Sequence, residues 1–235
     1  MSERVIAIIP AKGYSRRVPR KNMRLLHGKP LLAYTIEEAL KSQLIDELYV
    51  STDDPEIQAF SQRCGAKASS LRPAALSQDG VHGSVPILFL LEQLGGAHQY
   101  GYCVQLMATS PFKTAQTIDA VIQRSKDRHT NVLSVTPTGK IGAHFRMIAP
   151  DGTLTPLVQD LVYNFQTQDQ PEVFFINGAI YCAPVGPLLQ HRTFQYEQPM
   201  GYAMELREAF DIDTEEDFLM AERLADWAGR GVSHG

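Results

Sequence analysis

Val5-Ile-Ala-Ile-Ile9, closed by Pro10 and followed at once by Ala11-Lys-Gly-Tyr-Ser-Arg-Arg-Val-Pro-Arg-Lys-Asn22, is the stretch on which the fold of this chain turns. A short, continuous, mostly β-branched run with no polar alternation is the pattern of a strand buried on both faces, as in a parallel sheet covered by helices. The loop that leaves it carries Lys12, Arg16, Arg17, Arg20 and Lys21, with Arg24 just beyond: six positive charges in thirteen residues. A solvated charge run is the plain alternative for such a loop. Its position favours function, because in open α/β sheets ligands bind beyond the carboxyl ends of the strands.

Outward from that stretch, strands and helices alternate. Gly28-Lys-Pro30 introduces a helix over about Leu31 to Gln43, and Glu47 to Thr52 reads as the second strand. Asp54-Pro55 supplies an N-cap and first-turn proline for a helix ending near Cys64-Gly65. Arg72 to Gly83 is expected as a loop, Ser84 to Leu94 as a helix, Tyr102 to Leu106 as a buried strand, Thr114 to Arg128 as a helix and Asn131 to Thr136 as a strand. From 137 to 175 the rhythm breaks, which suggests a small insertion or interface arm. It resumes with a strand at Gly178 to Ala183 and closes with a helix from Thr214 to Ala228, where Thr214 and Asp217 have capping-box-like spacing. Alternation of this kind predicts an α/β domain with a mostly parallel sheet covered on both faces.

The chain has 235 residues, 44% of them hydrophobic and 20% charged, which excludes collagen, coiled-coil and disordered classes. Its net charge of -4 hides the asymmetry, since six cations in one loop leave -10 for the rest. An acidic protein with one basic loop suits a single polyanionic small molecule and poorly suits nucleic acid, which wants a broad basic face. The apolar run from Val5 to Ala11 is too short to span a bilayer, and cations follow it where a secretory cleavage site needs small residues. A cytoplasmic protein with no membrane partner is expected. Cys64, Cys103 and Cys182 read as reduced thiols.

Near the other end, Phe210-Asp-Ile-Asp-Thr214 places two carboxylates on one face of an extended segment. Such a pair suits Mg²⁺, which takes one or two carboxylates plus substrate phosphates; acids at a helix start also serve capping and the dipole. Combined with the cationic loop, Asp211 and Asp213 complete what nucleoside triphosphate chemistry needs. No Walker loop and no G-x-G-x-x-G fingerprint occurs, which disfavours P-loop enzymes and dinucleotide oxidoreductases.

Taken together, Ile9 to Asn22 and Gly28 to Thr35 resemble the opening motif of the cytidylyltransferases that make CMP-sialic acids. Further matches run in order: Val50-Ser-Thr-Asp-Asp54, Leu71-Arg-Pro-Ala-Ala-Leu76, Thr109-Ser-Pro-Phe-Lys-Thr114, Asn177-Gly-Ala-Ile-Tyr181 and Asp211-Ile-Asp-Thr-Glu-Glu-Asp217. The resemblance implies a three-layer α/β/α nucleotide-diphospho-sugar transferase fold, with 137–175 as a dimerisation arm of a homodimer. It also implies an N-acylneuraminate (nonulosonate) cytidylyltransferase, in which the anomeric hydroxyl of a nonulosonic acid attacks the α-phosphate of CTP and pyrophosphate leaves with Mg²⁺. By position, Lys12, Ser15, Arg16 and Lys21 would hold the triphosphate, with Arg16, Lys21 and Asp211 catalytic. Asn22 and Arg72 would orient the cytidine, Asp211 and Asp213 would bind metal, and Asn177, Tyr181 and position 107 would face the sugar.

The sugar half departs from the pattern. Where sialic-acid members show Gln-Pro before Thr-Ser-Pro, this chain has Met107-Ala108, so a hydrogen-bonding group has become a thioether. Gly80-Val-His-Gly-Ser-Val-Pro86 looks more like the pseudaminic-acid branch, whereas Asn177 to Tyr181 is of the sialic and legionaminic type. A usual basic residue is Thr167 here. His82 and His144 are kept outside the site, Phe194 and Tyr196 read first as core, and Trp227 as an anchor of the last helix. Two alternatives stand beside the main reading: a cytidylyltransferase for another 3-deoxy sugar acid, and a nucleotide-binding homologue without turnover.

Overall fold

The apolar run at the start forms the strand its composition predicts. β1 (Val5–Pro10) has Val5 to Ile9 fully buried, with Val5, Ala7 and Ile9 in one apolar core and Ile6 and Ile8 in another. This is the period-two alternation of a strand with a covered sheet on both sides. The computed structural model describes residues 3–67, 69–157 and 171–229, the side chains of 141, 143 and 226–229 excepted.

After β1 come the two-residue strands β2 (Leu25–Leu26) and β3 (Lys29–Pro30), then α1 (Leu31–Lys41), β4 (Glu47–Ser51), α2 (Pro55–Arg63), α3 (Val85–Gln93) and β5 (Tyr102–Leu106). The chain continues with α4 (Ala115–Arg128), β6 (Val132–Ile141), β7 (Arg146–Ile148), β8 (Leu154–Pro156), β9 (Glu172–Pro184), α5 (Val185–His191), β10 (Met200–Ala203) and α6 (Glu215–Gly229). Six strands form the main sheet in the order β10-β6-β9-β5-β1-β4. β1 runs parallel to β4 and β5, and β10 parallel to β6; β9 is antiparallel to both neighbours. Apolar residues of α1, α2 and α4 fill the core on one face, and those of α3 and α5 the core on the other. The three-layer arrangement follows directly.

The chain leaves β1 to pair β4 on one side and later returns to pair β5 on the other. Loops after β1 and β5 therefore diverge, and the crevice between them is where an open α/β sheet binds its ligand. A third, smaller cluster underpins that crevice: Val18 of the basic loop, Leu26, Leu31, Ile212, and Phe218 and Ala221 of α6, all fully buried.

Helix starts follow their capping chemistry. Asp54 accepts hydrogen bonds from the N–H groups of Glu56 and Ile57. At α6 the box closes in both directions: Thr214 Oγ1 accepts from Asp217 N at 3.1 Å, and Asp217 Oδ2 accepts from Thr214 N at 2.8 Å.

The sheet also enters the stretch expected as an arm. β6 continues through 137 to 141 and β9 starts at 172, pairing Pro137 with Phe174 and Ile141 with Glu172. β7 and β8 form a small antiparallel hairpin between them; 158–170, Thr167 included, lie outside the described residues, as does the Trp227 side chain. The strands are irregular, and this hid them. Between the pairs Leu133–Tyr181 and Val135–Ile176, β6 advances two residues while β9 advances five. Gly178, at φ +80°, takes the bend at the bulge in a left-handed conformation that glycine adopts without a Cβ clash. Among the described residues, no helix is long and apolar enough to cross a membrane.

Candidate active site

A cavity of about 780 Å³ opens at the carboxyl ends of β1 and β5. Every residue singled out from the sequence as catalytic, nucleotide-binding, sugar-binding or metal-binding lines it. The loop after β1 enters it because Gly13 N donates to Asp53 Oδ1 at 3.1 Å. A Cβ on Gly13 would come within 2.7 Å of Asp54 Oδ2, so only glycine lets the loop lie this close to the turn after β4.

Four of the six loop cations reach the cavity: Lys12, Arg16, Arg17 and Lys21. Arg20 and Arg24 turn away to pair with Glu56 and Glu215. Two acids hold the four in place. Asp79 meets Lys12 Nζ at 2.9 Å and Arg16 Nε at 2.8 Å, while Asp213 meets Lys21 Nζ at 3.1 Å and Arg17 Nη2 at 3.0 Å. Lys21 also donates to the Ile212 carbonyl at 2.6 Å. Arg17, counted among the loop cations but given no site role, and Asp79 were not legible from the sequence as site residues, because their partners lie far along the chain.

Asp211 and Asp213 flank Ile212, whose burial in the third cluster turns both carboxylates the other way. Asp211 Oδ1 accepts from Ser110 Oγ at 3.3 Å, and Ile212 N donates to the Thr109 carbonyl at 2.8 Å. Beneath this turn lies fully buried Lys113, which stands in the Thr109 to Thr114 motif but received no role from it, since a lysine among hydroxyl residues reads first as exposed. Its ammonium donates to Thr35 Oγ1 at 3.0 Å, to the Met107 carbonyl at 2.6 Å and to the Ser110 carbonyl, so all three donors are met. Burial pulls its pKa down to about 7 against the opposing pull of Asp211 and Glu38. The two aspartates are hard oxygen donors of the kind Mg²⁺ takes. Among the described residues no three His, Cys, Asp or Glu side chains cluster as a metal site, so substrate oxygens and water would have to complete an octahedron.

At one end of the cavity, Asn22 donates its amide to the Lys12 carbonyl at 2.9 Å. Arg72 is buried, and its guanidinium donates to Ser77 Oγ at 2.8 Å and to the Ser51 carbonyl at 3.1 Å. Arg72 therefore ties the 72–84 loop to β4 as well as facing the cavity. Burial lowers its pKa, with Asp53 opposing. His82 lines the cavity and its Nδ1 accepts from Ser84 N at 3.3 Å.

At the other end stand Met107, Tyr181, Asn177 and Phe194, with Gln105 of β5. Burial first, then the negative charge of Asp211, raises the Tyr181 pKa and keeps its hydroxyl a neutral donor. Asn177 reaches the cavity from the β9 bulge, but its amide is committed: Oδ1 accepts from Ser134 Oγ and Ala179 N, and Nδ2 donates to Thr136 Oγ1 at 2.9 Å. Its role here is to hold the bulge. Phe194 is core and cavity wall at once, its ring 5.9 Å from that of Tyr181, whereas Tyr196 stacks on His191.

Cations for a polyphosphate, an acid pair beside them and a less charged pocket beyond describe a site that binds a nucleotide next to a second substrate. A family model for cytidylyltransferases matches residues 6–229, and the chain belongs to that family. It is 33% identical over 230 residues to the CMP-N,N'-diacetyllegionaminic acid synthase of Legionella pneumophila, covering 95% of this chain and 97% of that one. It is 32% identical over 223 residues to the N-acylneuraminate cytidylyltransferase of Escherichia coli, covering 94% of this chain but 52% of that longer protein. With the pseudaminic acid cytidylyltransferase of Campylobacter jejuni it shares 27% over 220 residues, 93% of this chain and 95% of that one. A solved CMP:2-keto-3-deoxy-manno-octonic acid synthetase complexed with CTP superposes with a TM-score of 0.71 at 15% identity, covering 96% of this chain and 100% of that one. That likeness speaks to the fold alone.

Proposed function

We propose that this chain couples CTP to a nonulosonic acid. The anomeric hydroxyl oxygen forms a bond to the α-phosphorus, the bond from that phosphorus to the bridging β-phosphate oxygen breaks, and pyrophosphate leaves. The observation that carries the reading is the single cavity in which Lys12, Arg16, Arg17 and Lys21 stand beside Asp211 and Asp213. The likeness to three enzymes whose names carry such acids, spanning nearly all of this chain in each and nearly all of the legionaminic and pseudaminic acid enzymes, supports the choice of second substrate.

In this reading Lys12, Ser15, Arg16 and Lys21 hold the triphosphate. Charge developing on the phosphoryl oxygens then meets donors already in place, which is where preorganised electrostatics acts. Asn22 and Arg72 fix the cytidine end. Asp211 and Asp213 would hold Mg²⁺, which supplies neutralisation of phosphate charge. In the same reading Asp211 would take the proton of the attacking hydroxyl. The homodimer implied by the resemblance belongs to the same reading. Exposed Met147, Ile148, Leu154 and Phe175 on β7, β8 and β9 support an interface there, and light scattering tests it.

Met107 favours an acid other than N-acetylneuraminic acid. A sugar group that needed glutamine at this position would be left unpaired, costing about 1–3 kcal/mol or roughly 5- to 150-fold in specificity. The test is pyrophosphate release from CTP and Mg²⁺ with N-acetylneuraminic, legionaminic and pseudaminic acids and a 3-deoxy-octulosonic acid. Turnover is expected with a more deoxygenated nonulosonic acid, and Met107→Gln should shift kcat/KM toward N-acetylneuraminic acid. Release with none of them, despite CTP binding, would overturn the catalytic reading; preference for the octulosonic acid would overturn the substrate class.

A further inference from the structure

Gln105 is a glutamine where a sheet interior has little use for one. Its β5 neighbours Cys103, Val104 and Leu106 are fully buried apolar residues. Gln105 itself is 4% exposed, yet it lines the cavity opposite its cross-strand partner Tyr181. Its amide is poorly served. Oε1 is buried with no hydrogen-bond partner, and Nε2 reaches only Met107 Sδ at 3.4 Å, a weak acceptor. A leucine would fill this place without leaving a polar atom unpaired. Native proteins pair nearly all such atoms, and an orphan of this kind calls for an explanation.

The position supplies one. Residues two apart on a strand share a face, so Gln105 and Met107 lie on the same side, and their side chains touch. An amide is thus present at this end of the cavity one strand repeat below the thioether. The last torsion of a glutamine is soft, and turning it breaks only the sulfur contact. The carbonyl can then be offered to a donor entering the cavity.

We propose that Gln105 is a specificity-determining residue that hydrogen-bonds a donor group of the sugar acid, a hydroxyl or acylamino N–H that reaches deeper than Met107. The inference rests on the sugar-acid reading of the site given above. It explains how a pocket with a thioether at position 107 still selects a polar substrate, and it assigns that selection to a residue absent from the motifs quoted above.

The test is Gln105→Leu in the full chain, with steady-state kinetics for the acid the wild type uses, CTP affinity by calorimetry, and thermal melting. Expected are a fall in kcat/KM for the acid of about 5- to 150-fold, the range for losing one buried hydrogen bond, unchanged CTP affinity, and a melting temperature equal to or above that of the wild type. A merely structural glutamine would give the opposite pattern, with stability moved and the acid's kinetics untouched, and that result overturns the proposal. Gln105→Met, unbranched and of similar length, serves should leucine crowd β5, with the same expectations. If the wild type turns over none of the acids, the sugar-acid reading fails and this inference falls with it. If the wild type turns over an acid and both variants keep its kcat/KM, this inference alone fails.

Discussion

Asp211 and Asp213 owe their position to the residue between them. Ile212 is fully buried, so the alternation of an extended segment turns both carboxylates into the cavity, one accepting from Ser110 and the other paired with Lys21 and Arg17. Asp211→Asn or Asp213→Asn should leave the fold intact and lower turnover on the order of 10²-fold or more, the scale for removing one preorganised stabilising group. Pyrophosphate release measured beside a melting curve checks this; a variant with near-normal rate takes that aspartate out of the mechanism. At this scale the sequence revealed which residue types gather, because motifs preserve their order along the chain. It did not reveal what each side chain does once there. Asn177, expected to face the sugar, spends its amide on Ser134 and Thr136, and Asp79 acts through Lys12 and Arg16, and Lys113 in part through Thr35, partners that only folding brings near.

Among the elements, α6 is the one whose start bears on the chemistry. Asp217 Oδ2 accepts from the N–H of Asp213 at 3.0 Å as well as from Thr214, so the cap that begins the helix also holds one of the acid pair. Asp217→Ala should therefore reduce stability by about 1 kcal/mol, or roughly 2–4 °C in Tm for a chain of this size, and lower kcat as well. Asp217→Asn, which keeps an acceptor, should recover most of both. A loss confined to stability would mean that Asp213 does not need the cap. Elements with long, clean periodicity were legible from sequence: β1, β5, α1 and α4 lie within a few residues of their expected bounds. α5 and β10 were not, since seven residues containing Gly186-Pro187 and four reading Met-Gly-Tyr-Ala carry too little pattern to stand out. The outer half of β9 was hidden by the bulge at Gly178, which breaks the alternation a strand is recognised by.

Across the whole molecule, stability and chemistry occupy opposite ends of the sheet. Glu47 opens β4 at the amino ends of the strands, where Oε1 accepts from Arg4 and Lys67 at 2.6 Å each and Oε2 from Tyr49 at 3.1 Å and from Tyr100. Burial alone would raise its pKa, but these hydrogen bonds outweigh it and hold the carboxyl at about 2. A carboxylate with a depressed folded pKa stabilises the fold above its unfolded pKa and loses that contribution as pH falls toward the folded one. Glu47→Gln should accordingly be less stable than wild type at neutral pH, with the gap closing between about 4.5 and about 2, and its kinetics near neutrality should be unchanged. Urea melts across that range decide it, a gap that persists at the acid end being the contrary result. The carboxyl ends are built differently. The small apolar plug of Val18, Leu26, Leu31, Ile212, Phe218 and Ala221 carries the cationic loop on one side and the acid pair on the other, and it stands apart from the two large cores. Such satellite units open below the free energy of global unfolding. A partly opened molecule, its sheet whole and α6 undocked, would lose both signs of charge at its centre in one event and be catalytically silent while still looking folded. In a urea titration, turnover should therefore vanish before the far-UV signal of the sheet, and Phe218→Ala should widen the interval between the two curves. Coincident curves in both proteins would mean that the last helix melts only with the rest.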